Sequence, residues 1–185
     1  YENFFLNDNF TSDSVKFKTF NNRVGVKGLI QNLKYNIYAN YRNVGYRYTS
    51  DSNFTTINRF YLGGNIGFSK NKIKIQGDLK IKSLGDYSLN GILNLGLLSV
   101  SYYSSLHEPS IYLNKYSGNH YRWENDFKSS FINVLNGKLS LSNESISFEP
   151  FMKIVSISDH IYLSEDRVPI QHEDIIINNQ IGIEL

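Results

Sequence analysis

Four histidines, His107, His120, His160 and His172, are the first candidates for chemistry in this chain of 185 residues. His107-Glu108 and His172-Glu173-Asp174 set ligand-type side chains next to one another. A metal site needs ligands at spacings that converge on one point, as two histidines one helical turn apart do, and no such spacing occurs. The histidines read as solvated loop residues. The chain has no cysteine, which excludes a disulfide framework, a thiolate metal site, a cysteine nucleophile and a cysteine-linked lipid. There is no Gly-x-Ser-x-Gly elbow and no phosphate-cradling glycine loop. Gly63-Gly64 and Gly67 lie inside an alternating run, where glycine marks a bulge or a sharp bend. Glu108, Glu124, Asp126, Glu165 and Asp166 are available for acid–base work, but no spacing singles out a pair. The sequence holds no catalytic constellation, and it reads as a non-enzyme with no cofactor and no metal.

The aromatic residues are more informative. Tyr102-Tyr103, Tyr112, Tyr116, Tyr121 and Trp123 suit either stacking platforms for sugars or bases, or girdles whose rings sit at a membrane interface with their polar tips in the headgroups. Aromatics make up 15% of the chain, with 14 Tyr and 12 Phe, while Ala39 is the sole alanine. Alanine is the best helix former, and the aromatic and β-branched residues that replace it favour strands. A formal net charge of +2 with interspersed signs leaves no electrostatic footprint for nucleic acid. No apolar run is long enough for a membrane helix, and mean hydropathy is −0.35. A membrane β-barrel is untouched by that argument, because its strands alternate.

Alternation is the dominant pattern. Leu33, Tyr35, Ile37, Ala39 and Tyr41 interleave with Lys34, Asn36, Tyr38, Asn40 and Arg42; Ile73, Ile75, Leu79 and Ile81 interleave with Lys74, Gln76, Asp78 and Lys80. Successive side chains of a strand point to opposite faces, so each run has one apolar and one polar side. The pattern predicts strands over 14–20, 23–31, 33–42, 54–69, 72–82, 86–95, 97–104, 120–135, 138–148, 151–157 and 174–185, with long loops over 105–119 and 158–173. Asn136-Gly137 is the strongest short-range hairpin signal, since a tight turn needs left-handed φ there. The fold class is all-β: an antiparallel meander of about 10–12 strands, forming an outer-membrane-type β-barrel or an open segment of one, with residues 1–185 as one domain or part of one. The alternative is a soluble or surface β-sandwich that binds glycans through exposed aromatics.

Glu108-Pro109-Ser110-Ile111-Tyr112, leading to Tyr116-Ser117-Gly118-Asn119-His120-Tyr121-Arg122-Trp123-Glu124-Asn125-Asp126-Phe127, carries a resemblance. It resembles the proline loop and the S-N-H-[FY]-x-W-x-N-x-F segment of the β-barrel porin family of Bacteroidota outer membranes. Gly118 stands where that pattern has serine. Tyr41–Arg47 is similar to the family's Gly-Tyr-Arg stretch, and Ile161-Tyr162-Leu163 with Val168-Pro169-Ile170-Gln171 is similar to a further segment, in the same order. The resemblance implies an integral barrel in the bacterial outer membrane, serving passive transport or membrane-complex scaffolding. Its partners would be the lipid bilayer and other outer-membrane subunits. It also implies that this chain, starting at Tyr1 and stopping at Leu185, is an internal portion of a longer barrel.

The family-motif residues are Pro109, Asn119, His120, Trp123, Asn125, Phe127, Pro169 and Gln171. They read as a structural corner rather than a ligand site. Trp123, Asn125, Phe127 and Ser129 are expected to share one strand face, with Arg122, Glu124, Asp126 and Lys128 on the other. Three expectations follow for the fold: the apolar rows face outward, the two long loops share one rim opposite the Asn136-Gly137 reversal, and the chain does not close a barrel by itself.

Overall fold

The computed structural model describes residues 14–48, 53–83, 85–118, 121–142 and 147–184. Alternating sequence becomes strand almost throughout. In chain order the elements are β1 (Val15–Ile30), β2 (Leu33–Tyr48), β3 (Thr55–Lys70), β4 (Ile73–Ser83), β5 (Asp86–Leu95) and β6 (Leu98–His107). A single helical turn, α1 (Ile111–Asn114), and two short strands, β7 (Lys115–Ser117) and β8 (Arg122–Glu124), follow. The chain then continues through β9 (Ser130–Leu139), β10 (Leu141–Ser142), β11 (Ser147–Ser158), β12 (His160–Leu163), β13 (Pro169–His172) and β14 (Ile176–Glu184).

The main sheet runs β1-β2-β3-β4-β5-β6-β9-β11, with β14 on the far side of β11, and each neighbouring pair is antiparallel. β10 pairs Leu141 with Phe148 and keeps the register of the β9–β11 ladder, so it prolongs the line of β9. The sheet is therefore nine strands wide, fewer than the alternation alone predicts. Two corrections account for the difference. Residues 14–20 and 23–31 are not separate strands: β1 runs unbroken through Asn21 and Asn22, which pair with Arg42 and Tyr41. Asn136-Gly137 is not a turn. Asn136 lies between Ser101 and Lys153, and Gly137 between Val100 and Met152, with a ladder on both sides. The Asn136 amide donates to Ser101 Oγ at 2.9 Å. Two full ladders outweigh the left-handed preference of one dipeptide, and antiparallel pairing continues past it as far as Ser142 with Ser147.

Gly63, Gly64 and Gly67 also form no bulge, since the register against β2 and β4 passes through them without a shift. At Gly63 the reason for glycine is close approach: the Tyr38 ring lies across it, and an added Cβ would sit 2.4 Å from that ring.

The connections sort onto two rims. Gln31-Asn32, Asn71-Lys72 and Gly96-Leu97 close tight reversals, and their first residues take φ of 53°, 55° and 62°. Neighbouring turns are stitched by Gly96 N–H donating to Lys72 O at 2.9 Å and Ser140 N–H donating to Leu97 O at 2.8 Å. At the opposite rim lie both long excursions, 108–129 and 159–175, because two strands, β9 and β11, separate them. The expectation that they share a rim holds with a different strand count: residues 151–157 do belong to a crossing strand, and residues 130–142 make one strand instead of two.

β1 and β14 sit at the two edges, with no ladder between them among the described residues. Both run from the long-excursion rim toward the tight-turn rim. Sealing the sheet with antiparallel ladders alone takes an odd number of further strands.

Candidate functional site: the polar face and the excursion that covers it

Register assigns every side chain of the sheet to a face. One face carries Val24, Val26 and Ile30 of β1, Ile37 of β2, Leu62 and Ile66 of β3, Ile73, Ile75, Leu79 and Ile81 of β4, Leu89 of β5, Met152 of β11 and Ile177, Ile181 and Ile183 of β14, all exposed. Its charged residues, Lys16, Lys18, Arg47 and Lys70, lie only toward the two rims. From Phe20 to Ile30 the apolar row spans roughly 33 Å along the strand, or about 25 Å along the sheet axis at a barrel's ordinary tilt. Aromatic residues mark its upper limit at Phe20, Tyr41, Phe60, Tyr87 and Phe131. There the Tyr41 hydroxyl donates to Asn58 Oδ1 at 2.9 Å. The described residues place no second sheet over this face, so the sandwich alternative lacks its second layer.

The opposite face is polar. Its small core lies near the long-excursion rim, where Val44, Tyr46, Tyr48, Tyr61 and Asn40 are buried. Here the alternation changes phase. Odd residues of β2 are apolar from Leu33 to Tyr41, but beyond Asn43 the apolar residues are the even ones, Val44, Tyr46 and Tyr48. β1 does the same, with Phe17 falling on the polar face. Something covers that face above the apolar band, which is also why β2 continues past its expected end at Arg42.

The cover is the excursion 108–129. It leaves β6 and reaches back across four strands. Glu108 pairs with Lys82 of β4 and, at 3.7 Å, with Arg59 of β3. Tyr48 of β2 donates its hydroxyl to Lys115 O and meets the Tyr116 ring edge-on at 5.6 Å. Phe17 of β1 meets Tyr112 edge-on at 6.1 Å. Asp86 lies 3.7 Å from Lys82 and 3.5 Å from His107 at the root of the excursion.

The motif residues build this cover. Pro109 is half-buried just before α1. Trp123 stacks on Tyr116 at 4.7 Å and donates its indole N–H to Tyr112 O at 2.8 Å. The Asn125 side chain donates to Leu113 O at 3.0 Å and its backbone N–H to Asn114 O at 2.6 Å. These bonds end the strand after Glu124, so the long strand expected over 120–135 is split into β8 and β9. Residues 125–129 therefore share no strand face, but burial still alternates: Trp123, Asn125, Phe127 and Ser129 are half-buried, and Arg122, Glu124, Asp126 and Lys128 are exposed. Asn119 and His120 lie outside the described residues.

Gln171 joins the two excursions. Its side-chain oxygen accepts from Lys128 N–H at 3.0 Å, and its amide donates to Lys128 O and to Asp159 O, both at 2.9 Å. Pro169 is fully buried in the β12–β13 hairpin beside Val168. Gln171→Glu keeps the acceptor and removes both donors, leaving two carbonyls facing a carboxylate; we expect a cost of about 1–3 kcal/mol, read as faster amide exchange at Lys128.

Outside the main sheet, in the β7–β8 hairpin, Lys115 donates to Glu124 Oε1 at 2.9 Å. That hydrogen bond, then the charge of Lys115, lowers the Glu124 carboxyl; the same bond, then the charge of Glu124, raises the Lys115 ammonium. A lowered carboxyl contributes stability above its unfolded pKa that is lost as pH falls through the folded value. A raised ammonium contributes below its unfolded pKa and is lost as pH rises through the folded value. The β7–β8 hairpin is therefore tightest between these limits, and Glu124→Gln should flatten the acid limb of a Trp123 fluorescence titration. Sequence reasoning missed Arg59, Lys82, Asp86 and Tyr48, whose convergence depends on register and on the path of the excursion. Glu108 and His107 were visible only as a neighbouring acid and imidazole.

Among the described residues no cluster of histidine and carboxylate side chains is placed to hold a metal, and no helix is long and apolar enough to cross a membrane, which leaves strand crossing open. No curated protein matches the chain. No solved structure matches it either. A family model does, over residues 1–184, and its description is "Putative porin". An open antiparallel sheet with one exposed apolar face and one covered polar face is the architecture that such a match calls for, and the chain belongs to this porin family.

Proposed function

We propose that the chain forms part of the wall of an outer-membrane β-barrel that passes small hydrophilic solutes by diffusion, with the excursion 108–129 folded inward to narrow the lumen. The observation that carries this reading is the segregation of charge. Within the apolar band every charged strand residue lies on the face that the excursion covers, and none on the other. In water that segregation would leave a broad apolar surface unprotected; against lipid it is required, since a cation at the bilayer midplane costs about 2–4 kcal/mol. Tight turns at one rim and long excursions at the other match the periplasmic and extracellular ends of such barrels. Further strands, odd in number, complete the closure, because lipid cannot satisfy the free edges of β1 and β14.

The motif residues Pro109, Trp123, Asn125, Phe127, Pro169 and Gln171 act in this account as the frame of the inward fold and its anchor to the second excursion. A scaffold in a membrane complex would share the wall but would not need an open lumen. Heat-modifiable migration of the detergent-extracted full-length protein, together with conductance after insertion into planar bilayers, tests the reading. A closed barrel without conductance favours the scaffold, and extraction into buffer without detergent removes the barrel altogether.

A further inference from the structure

The polar face is not evenly polar. On β1–β4, six successive cross-strand levels each carry a cation. From the tight-turn rim these are Lys74 opposite Ser69, then Lys34 opposite Gly67, then Lys27 opposite Asn36. Above them come Lys80 opposite Gly63, Arg23 opposite Asn40, and Arg42 directly opposite Arg59. Levels lie two residues apart, so the series climbs roughly 33 Å, the full height of the apolar band behind it. It ends beneath the excursion, where Glu108 holds Arg59 and Lys82.

Carboxylates do not balance it. Asp78, opposite Asn65, is the one acid on this face of β1–β4. The other acids of the face are engaged: Asp86 with Lys82, and Glu149 and Glu184 with Lys138. No ion pair forms to Arg23, Lys27, Lys34, Arg42, Lys74 or Lys80 among the described residues. Two of these cations are held in place by ring faces, Arg23 over Tyr38 at 4.2 Å and Lys80 over Tyr61 at 4.1 Å. Opposed like charges such as Arg42 and Arg59 destabilise a sheet unless a counter-ion lies between them. Across β5 and β6 the wall turns neutral, with Ser88, Asn90, Asn94, Ser99 and Ser101 on the same face. Beyond them Lys138 is paired with Glu149 and Glu184, and Lys153 stands opposite Asn136 with no ion pair among the described residues.

We infer that this ladder of cations is an anion track, and that the solutes favoured by the pore are small anions, carboxylates and phosphates in chemical class. The inference rests on the channel reading above. A row of Lys and Arg along a lumen lowers the energy of an anion at each level and raises that of a cation, with no single level holding it tightly.

The test is the reversal potential of the full-length protein in planar bilayers under a KCl gradient. Chloride is expected to permeate about threefold or more over potassium. The triple variant Lys34→Glu, Arg42→Glu, Lys80→Glu should abolish or invert that preference, and the neutral triple to Gln, which disturbs insertion less, should weaken it. Lys16→Glu, on the other face near the rim, should leave it unchanged. A conducting pore that prefers potassium, that shows no preference, or whose preference survives both triple variants overturns the track while leaving the channel. A heat-modifiable barrel that never conducts overturns the channel reading and the track together.

Discussion

Leu79→Lys is expected to destabilise the inserted protein by about 2–4 kcal/mol, while Asn90→Lys should change it by well under 1 kcal/mol. Leu79 stands opposite Gly64 and Leu89 in the middle of the apolar face, and it is exposed there with nothing of the protein over it. Asn90 is opposite Asp78 and Tyr103 on the polar face, where a lysine would meet water and a carboxylate. The two sites lie on adjacent strands at nearly the same height, so any difference reports the face and not the depth. Urea unfolding in lipid vesicles, followed by heat-modifiable migration, measures both. Equal costs would mean that the two faces see the same medium.

The second large effect concerns the excursion. His107 pairs with Ser130 at the top of the β6–β9 ladder, so residues 109–128 leave and return at neighbouring points. Excising them and joining the two strands by a short Gly-Ser turn asks little of the wall. The barrel should still migrate as a folded, heat-modifiable species, and its single-channel conductance should rise about twofold or more, because the obstruction over Val44, Tyr46 and Tyr48 is gone. Unchanged conductance in a folded excision variant would place the excursion outside the path of the solute. Tyr48→Phe is a milder version: it removes only the hydroxyl that donates to Lys115 O, and should widen the distribution of conductance levels more than its mean.

The wall was legible in the sequence because its physics is local. Ile73, Ile75, Leu79 and Ile81 alternate with Lys74, Gln76, Asp78 and Lys80, and a two-residue period has one structural meaning. The same period hid the change of phase at Asn43, which follows from a segment more than sixty residues away folding over Tyr48. Asn136-Gly137 misled for the opposite reason. Its turn preference is local, and two non-local ladders overrule it.

The motif around Trp123 and Asn125 was visible as a pattern, but its task, tying α1 to β8 by bonds to Tyr112 and Leu113 carbonyls, depends on geometry that spacing does not encode. The cation ladder lay deepest. A chain with net charge +2 looks electrically bland until register sorts its residues by face, and only then do Lys34, Lys80 and Arg42 fall into one column of levels.

The most direct test of the account is a single-cysteine scan of β4 from Ile73 to Ile81 in the full-length protein reconstituted in lipid; these 185 residues hold no cysteine to compete, and any cysteine elsewhere is first replaced by serine. Each cysteine is spin-labelled, and its accessibility to oxygen, which partitions into lipid, is compared with that to a water-soluble nickel complex. The expected result is strict alternation: positions 73, 75, 79 and 81 favour oxygen, and positions 74, 76, 78 and 80 favour nickel. Equal access to nickel at all eight positions, or oxygen preference at Lys74, Asp78 and Lys80, would contradict the account, for then the apolar face of this sheet would not be the one that meets the membrane.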